Sequence, residues 1–389
     1  TPPRCSSYDG HRHRHESHRA EDRGKLMFVV LLRLLTGPLA LAPTDAPYPP
    51  SPVIAGVSFD WATHQRAAPG SDNWPLTWAD DGHQYTAWGD GGGFGGTNSE
   101  GRVSLGVARI EGDFEGHRGI NLWGGRGNEE RNSPTFPGKS YGILCVGGVL
   151  TMWVGMFEPD ADPWRDVRLA VSRDHGFSWQ LADWVLTRED GVMLPTMCQF
   201  GQDYAGARDE YVYHYWPRYR SAHGPDGYSD KVPWIVVQRP GAIDLARVHR
   251  DRILDRGAYE FFAGVDDHGA PHWTRDLSAR EPVFEDPNGV GWCVSVSHNA
   301  GLQRYLLCTE HTETHRGKLG IFDAPEPWGP WTTVAYEDAW GEGHVPVNTF
   351  YWNFANRWLS DDGRRFVMTF TGRQENDSWN ALRGAFLLR

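Results

Sequence analysis

Residues 71–93 read SDNWPLTWADDGHQYTAWGDGGG, and the way this stretch folds decides how the rest of the chain is read. Two β-prone runs, WPLTWA and HQYTAWG, flank an Asp-Gly pair. A tight hairpin turn needs residues that tolerate positive φ, so the pair predicts a hairpin with Asp80 and Asp81 in its turn. Folding about Asp81 predicts that Asp72 and Asp90 face one another at the open end. Directly opposed residues have Cβ atoms about 4.5–5.5 Å apart. Forming a hairpin requires no such pair of acids, and a one-residue slip would send one of them to the other face.

The same pattern recurs along the chain: an apolar strand, a turn, and a second strand ending in aromatic or polar residues. It is seen in PLTWADDGHQYTAWGD, GILCVGGVLTMWVG, TMCQFGQDYAGARDEYVYHYW, GWCVSVSHNAGLQRYLLCTEH and NRWLSDDGRRFVMTFTG. Each is followed by a further apolar segment suited to an outer strand: RVSLGVARI, DVRLAVSRD, VPWIVVQR, KLGIFDA and ALRGAFLL. Five such units arranged radially bury their faces against their neighbours, which predicts an all-β, five-bladed β-propeller over 55–389. A β-sandwich of irregular strands is the alternative. SRDHGFSW, Ser172 to Trp179, fits the Asp-box pattern S-x-D-x-G-x-x-W, in which Asp174 and Gly176 shape a turn and Trp179 plugs the gap behind it. The segment 251–262, DRILDRGAYEFF, reads as a short helix or turn outside blade three.

Composition agrees with this reading. The 389 residues include 19 Trp, 46 Gly and 26 Pro, with no long stretch of helical period. A net charge of −12 offers no basic field for nucleic acid or anionic membrane, so a neutral or cationic ligand is expected. The aromatic excess suits core packing and also surfaces on which sugar faces stack. Five cysteines without a CxxC pair say little about compartment. Cys145 and Cys198 read as buried thiols, and a turn at Ala300-Gly301 would set Cys293 opposite Cys308, leaving a cross-strand disulfide open.

At the N-terminus, KLMFVVLLRLLTGPLALAPTDA has a basic start, an apolar run and a small-residue exit. Residues 27–46 therefore read as a secretory signal rather than a spanning helix, and a secreted protein is expected. Residues 1–26, with HRHRHESHR, read as a disordered or upstream leader. Residues 47–54 read as a Pro-rich tether.

In a propeller, ligands bind where inner strands open at one end of the axis, so polar residues near those ends carry functional weight. Blade one offers Asp72 and Asp90 as catalytic candidates and Trp74 beside them. Substrate-binding candidates are Lys139 and Tyr141 of blade two, His214 and Trp216 of blade three, His298 and Glu310 of blade four, and Tyr351, Asn353 and Arg373 of blade five. Two facing acids suggest glycoside hydrolysis, in which one carboxyl protonates the leaving oxygen and the other attacks or activates water. No HExxH, DxDxDG or paired CxxC motif occurs, and neither metal nor cofactor is expected.

The set SDNWPLTWADDGHQYTAWGD, YGILCVGGVLTMWVG, DHGFSWQLADW, DYAGARDEYVY, LARVHRDRILDRGAYEFF, SHNAGLQRYLL, FDAPEPWGPWTTV and NRWLSDDGRRFVMTFTG resembles the family named domain of unknown function 4185, over roughly 55–389. That family is similar to five-bladed propeller carbohydrate-active enzymes, and one branch comprises endo-D-arabinanases. The resemblance implies a catalytic pair of aspartates, which fall here on Asp72 and Asp90. The chain departs from the family around them: Ser71-Asp72-Asn73-Trp74 stands in place of Thr-Asp-Leu-Gly, and Gly89-Asp90-Gly91 in place of Gly-Asp-Thr. The leading expectation is a secreted glycoside hydrolase acting on a polysaccharide. A lyase using a His or Tyr base on a uronate glycan, with Arg or Lys as neutraliser, is the second. A non-catalytic glycan-binding propeller is the third.

Overall fold

The computed structural model describes residues 45–128, 132–156, 166–219 and 235–389. The expected leader and most of the signal-like segment lie outside these residues. Five antiparallel sheets are arranged as the five blades of a β-propeller. The inner strands are Leu76–Trp78, Gly138–Val146, Thr196–Met197, Ser295–Asn299 and Thr349–Phe354. Each pairs with the strand that follows it: Gln84–Gly89, Val149–Met156, Tyr211–Pro217, Arg304–Glu310 and Arg365–Gly372. Third strands are Leu105–Glu111, Asp166–Ser172, Gly241–His249, Leu319–Ala324 and Trp379–Leu388.

Blade five closes the ring. Its outermost strand is Ile54–Ala67, fourteen residues that pair antiparallel with Trp379–Leu388, so segments from the two ends of the domain share one sheet. The core lies between blades, where both faces of each sheet are apolar. Ala79, Tyr85, Val107, Ile143 and Met152 join blades one and two, and Trp74, Trp88, Ala108 and Trp379 join blades one and five.

Contacts between non-adjacent blades mark the axis. The Tyr351 hydroxyl of blade five donates to the Tyr141 carbonyl of blade two at 2.5 Å. Trp292, entering blade four, meets Tyr141 edge to face with ring centroids 4.8 Å apart. Phe350 and His315 pack on the same indole. An aromatic plug therefore fills the centre of the ring.

Several expectations need correction. NRWLSDDG does not form the first strand of the fifth hairpin. That strand is Thr349–Phe354, and residues 356–363 make the 3-10 turn and loop that connect it to Arg365–Gly372. VPWIVVQR does not supply the third strand of blade three, which is Gly241–His249. Within that stretch the described Gln238 forms an isolated bridge to Val290. The last part of the expected tether is docked, since Tyr48 packs on Phe284, Pro50 bridges Thr333 and the Ser51 hydroxyl reaches Asp323 at 3.0 Å. Cys308 lies opposite Ser295 rather than Cys293, and the four described cysteines are free thiols. The segment after Arg250 forms two 3-10 turns, Arg250–Arg252 and Arg256–Ala258, before an outer strand.

The Asp box folds as its residue types dictate. Ser172 Oγ donates to Asp174 and accepts from Gly176 N at 2.8 Å, Asp174 accepts from Ser178 N at 2.9 Å, and the Trp179 indole N–H closes on the Gly176 carbonyl at 3.1 Å.

Candidate active site

The first hairpin turns where expected, with Gly82 N bonded to the Ala79 carbonyl and Asp81 accepting from His83 N and the Tyr85 hydroxyl. Its register differs at the open end. Leu76 pairs with Thr86, but Asp72 pairs with Gly89 through both backbone bonds, 2.8 and 2.7 Å. One extra residue on the Asp72 side is taken up at Asn73, which has φ +59°. Asp90 therefore sits one position beyond Asp72's partner. Its own φ of +54° turns the chain out of the strand there. A left-handed Asp is uncommon and is found where surrounding structure enforces it. The chain packs closely just beyond it: on Gly91, at φ +60°, an added Cβ would lie 2.3 Å from the Gly70 carbonyl and 2.4 Å from Ser71 Oγ.

The two acids thus emerge side by side at the end of the axis where inner strands begin, in different surroundings. Asp90 is paired with the Lys139 ammonium and, at 3.2 Å, with Arg102. Its side chain is 41% exposed, while that of Lys139 is 9% exposed. Asp72 accepts from Asn73 Nδ2 at 2.7 Å. Although part of the residue reaches solvent, protein surrounds its carboxyl, and burial raises its pKa well above the usual carboxylate value. Lys139 opposes that rise, and the charges of Asp90 and Asp377 add to it. Lys139 Nζ and Asp72 Oδ1 each lie 2.9 Å from the point a Cβ on Gly89 would occupy, so both line the space above that glycine.

Asp377 was not foreseen in the sequence. It follows the 3-10 turn Gln374–Asn376 of blade five, and its carbonyl accepts from Gly70 N at 2.8 Å. Its Oδ1 is buried without a hydrogen-bond partner. Burial, with the charge of Asp90, pushes its pKa up to about 7. The only sequence signal was position, in the loop between the second and third strands of blade five, as Asp90 lies between those of blade one.

The remaining candidates divide. Lys139 meets Asp90, and Arg373 Nη1 lies 3.2 Å from His315 Nδ1 and acts electrostatically on Asp377. Tyr141 and Tyr351 belong to the axial plug, 1% exposed, and burial raises both phenols well above their ordinary pKa. Asn353 donates to the carbonyls of Trp74 and Tyr351, at 3.3 Å each. Glu310 is buried at the end of its strand and accepts from His315 N at 2.6 Å, which shapes the following loop.

Four candidates are elsewhere. Trp74 has no exposed surface, because it is stacked on Trp88 and set edge-on to Trp379 in the seam between blades one and five. His214 is buried between blades two and three, where Trp153 Nε1 donates to its Nδ1 at 3.0 Å and burial lowers its pKa to about 3. Trp216 is 2% exposed and packs on Trp153, Tyr259 and Phe261. His298 lies toward the far end of its inner strand, against Phe200 and Tyr305, on the opposite face of the ring.

Clefts of about 690 Å³ beside Phe114 and Arg383, and about 920 Å³ beside Val149 and Arg252, lie at blade rims and include neither Asp72 nor Asp90. One group of metal-type donors occurs among the described residues. Asp80, Cys145 and Asp203 have ligand atoms within 4.8 Å of one another, on the face opposite the acids. Hydrogen bonds already account for that group, since Cys145 Sγ donates to Asp203 at 3.3 Å, Gly148 N donates to Asp203 at 2.9 Å, and His175 Nε2 lies 2.8 Å from Asp80.

No family model matches the chain, and no curated protein sequence matches it. Among solved structures, a Bacteroides ovatus protein provisionally assigned as a hydrolase aligns with a TM-score of 0.51 at 12% identity, covering 84% of this chain and 90% of that one. A GH43_1 enzyme from Xanthomonas citri aligns with a TM-score of 0.44 at 16% identity over 88% and 91% of the two chains. An alpha-L-arabinanase from Penicillium chrysogenum, complexed with arabinobiose, gives 0.42 at 12% over 82% and 96%. The first of these likenesses is one of fold alone.

Proposed function

We propose that the protein is a glycoside hydrolase in which Asp72 supplies the proton and Asp90 acts as the carboxylate. The observation that carries this is the contrast between neighbouring acids. Asp90 is ion-paired with Lys139 and Arg102 and partly exposed, while burial favours the protonated form of Asp72. A carboxyl kept protonated by its surroundings, beside a second one that is ion-paired, is the arrangement that divides acid and carboxylate roles. Asp72 then protonates the glycosidic oxygen as that bond breaks, and Asp90 attacks the anomeric carbon or takes a proton from the attacking water.

A neutral glycan suits the charges better than a uronate, because Lys139 and Arg102 are engaged with Asp90. The bases a lyase would need are also poorly supplied. Tyr141 and Tyr351 are buried with raised pKa values, and His214 is remote from the acids. The resemblance to endo-D-arabinanases favours an arabinan as the first substrate to try. The signal-like segment favours a secreted enzyme.

The test is incubation with arabinans, galactans and uronate polymers, scoring reducing ends and ultraviolet-absorbing unsaturated products. Reducing ends that fall by about 10³-fold or more in Asp72→Asn and in Asp90→Asn are expected, as for loss of essential acid–base groups. Unsaturated products would establish the lyase reading instead. Glycan binding with no cleavage would establish the non-catalytic one.

A further inference from the structure

We infer that Asp80, Cys145, His175 and Asp203 form a zinc site that ties blades one, two and three together on the face opposite the acids. The inference is independent of the hydrolase reading. Four separate stretches of chain converge there. Asp80 stands in the turn of the first hairpin, and Cys145 lies near the end of Gly138–Val146, the inner strand of blade two. His175 belongs to the Asp box of blade two, and Asp203 to the 3-10 turn Gln202–Tyr204 of blade three. Donors so far apart in the chain make no motif, which is why the sequence gives no metal signal at these positions.

The distances and donor types suit one ion. Cys145 is fully buried, and its Sγ stands 3.3 Å from Asp203 Oδ1 and 3.9 Å from Asp80 Oδ1. His175 Nε2 is 2.8 Å from the same Asp80 oxygen. These hydrogen bonds hold the groups together, yet a thiol carries one proton and serves one carboxylate at a time. A cation serves both. Tetrahedral zinc bonds oxygen and nitrogen at about 2.0–2.2 Å and sulfur at about 2.3 Å, which sets neighbouring ligand atoms roughly 3.3–3.5 Å apart. The thiol and the two carboxylates present ligand atoms within 4.8 Å of one another, so side-chain rotation closes the set. Asp80 and His175, 41% and 35% exposed, have room to rotate. One sulfur, one imidazole and two carboxylates favour zinc over calcium or magnesium, which take oxygen ligands. The frame around the donors is already built: Gly148 N donates to Asp203 Oδ1 at 2.9 Å, Gln202 Nε2 to the Asp80 carbonyl at 3.2 Å, and Cys145 N to Thr77 Oγ1 at 3.0 Å. The cleft of about 920 Å³ lined by Gly147, Val149 and Asp203 gives an ion its way in. On binding, the Cys145 S–H bond breaks, an S–Zn bond forms and the proton passes to water.

Cys5 and the histidines of HRHRHESHR are competing metal donors, so the experiment uses the full chain carrying Cys5→Ser. Cobalt(II) is the probe, because a thiolate on cobalt gives a near-ultraviolet charge-transfer band that imidazole and carboxylate ligands do not. One equivalent of cobalt is expected to develop that band, and zinc to bleach it and to raise Tm by a few degrees. In Cys145→Ser the band should be lost. In His175→Ala, a change at the rim of the fold, and in Asp203→Asn, the zinc affinity read from the bleaching should fall at least about 10-fold, the scale of losing even an outer partner of a metal ligand. Absence of the band would overturn the inference, as would a band that survives Cys145→Ser or a zinc affinity unchanged in either of the other two variants. Should Cys145→Ser fail to fold, those two decide the matter alone.

Discussion

The tightest geometric statement about the acids is the space above Gly89, and Gly89→Ala tests it. Its backbone is not in the left-handed region, so the substitution acts through the added methyl alone. That methyl would lie 2.5 Å from Lys139 Cδ and 2.9 Å from both Lys139 Nζ and Asp72 Oδ1. Carbon atoms pack at about 3.5–4.0 Å, so the lysine must retreat by roughly 1 Å, and its ammonium is what holds Asp90. Overpacking of this kind destabilises by about 1–3 kcal/mol, a fall of a few degrees in Tm for a chain of this size. A displacement near 1 Å at the reacting groups lowers turnover by up to about 10²-fold. We therefore expect kcat down roughly 10–100-fold with KM little changed. Gly116→Ala is the control, since an added Cβ there meets nothing within 4 Å and should leave both quantities at parent values. Reducing-end kinetics and thermal melting read the pair. Full activity and an unshifted melt in Gly89→Ala would refute the close packing of Lys139 over Gly89 beside the acids.

Two further outcomes concern the frame that holds the site. His214 is held neutral by burial with its pKa lowered to about 3, so between that value and about 6.5 the unfolded chain binds a proton that the folded one does not. Stability should fall as the pH is lowered across that window, by about 1.4 kcal/mol per unit for this residue. His214→Phe should flatten the acid limb of Tm against pH without altering hydrolysis, and an unchanged slope would count against the buried neutral ring. Asp244, 1% exposed, takes Arg218 and Arg280 together, each at 2.7 Å. Asp244→Ala leaves two guanidinium groups without their shared carboxylate and should destabilise by about 3–5 kcal/mol in equilibrium unfolding. A loss under about 1 kcal/mol would mean the pairing is solvent-screened.

Most of the architecture was legible because blades repeat a local signal: alternating apolar strands around a turn-forming pair. Blade one turned at Asp80-Asp81-Gly82, and the Asp box formed from the spacing of Ser172, Asp174, Gly176 and Trp179. What failed was what the local signal does not encode. VPWIVVQR is more apolar than GAIDLARVH, yet the latter pairs with Tyr211–Pro217, because tertiary partners decide between adjacent apolar runs. The slip that sets Asp72 against Gly89 depends on one left-handed residue, Asn73. Trp74 and Trp216 looked like sugar platforms, but inter-blade seams need large side chains, and the seams claimed them. Asp377 escaped notice because its role depends on a contact with Gly70, about 300 positions earlier in the chain.

The shared sheet of blade five governs when the ring can close. Strand 54–67 is synthesised before the other strands of the ring and its partner 379–388 after them, so the ring stays an open arc until that partner has been made. Asp72 and Asp90 lie on the early side of that gap and Asp377 on the late side. An unfinished or C-terminally clipped chain would carry most of its blades and yet lack the seam that brings these acids together. Activity would then report ring closure itself.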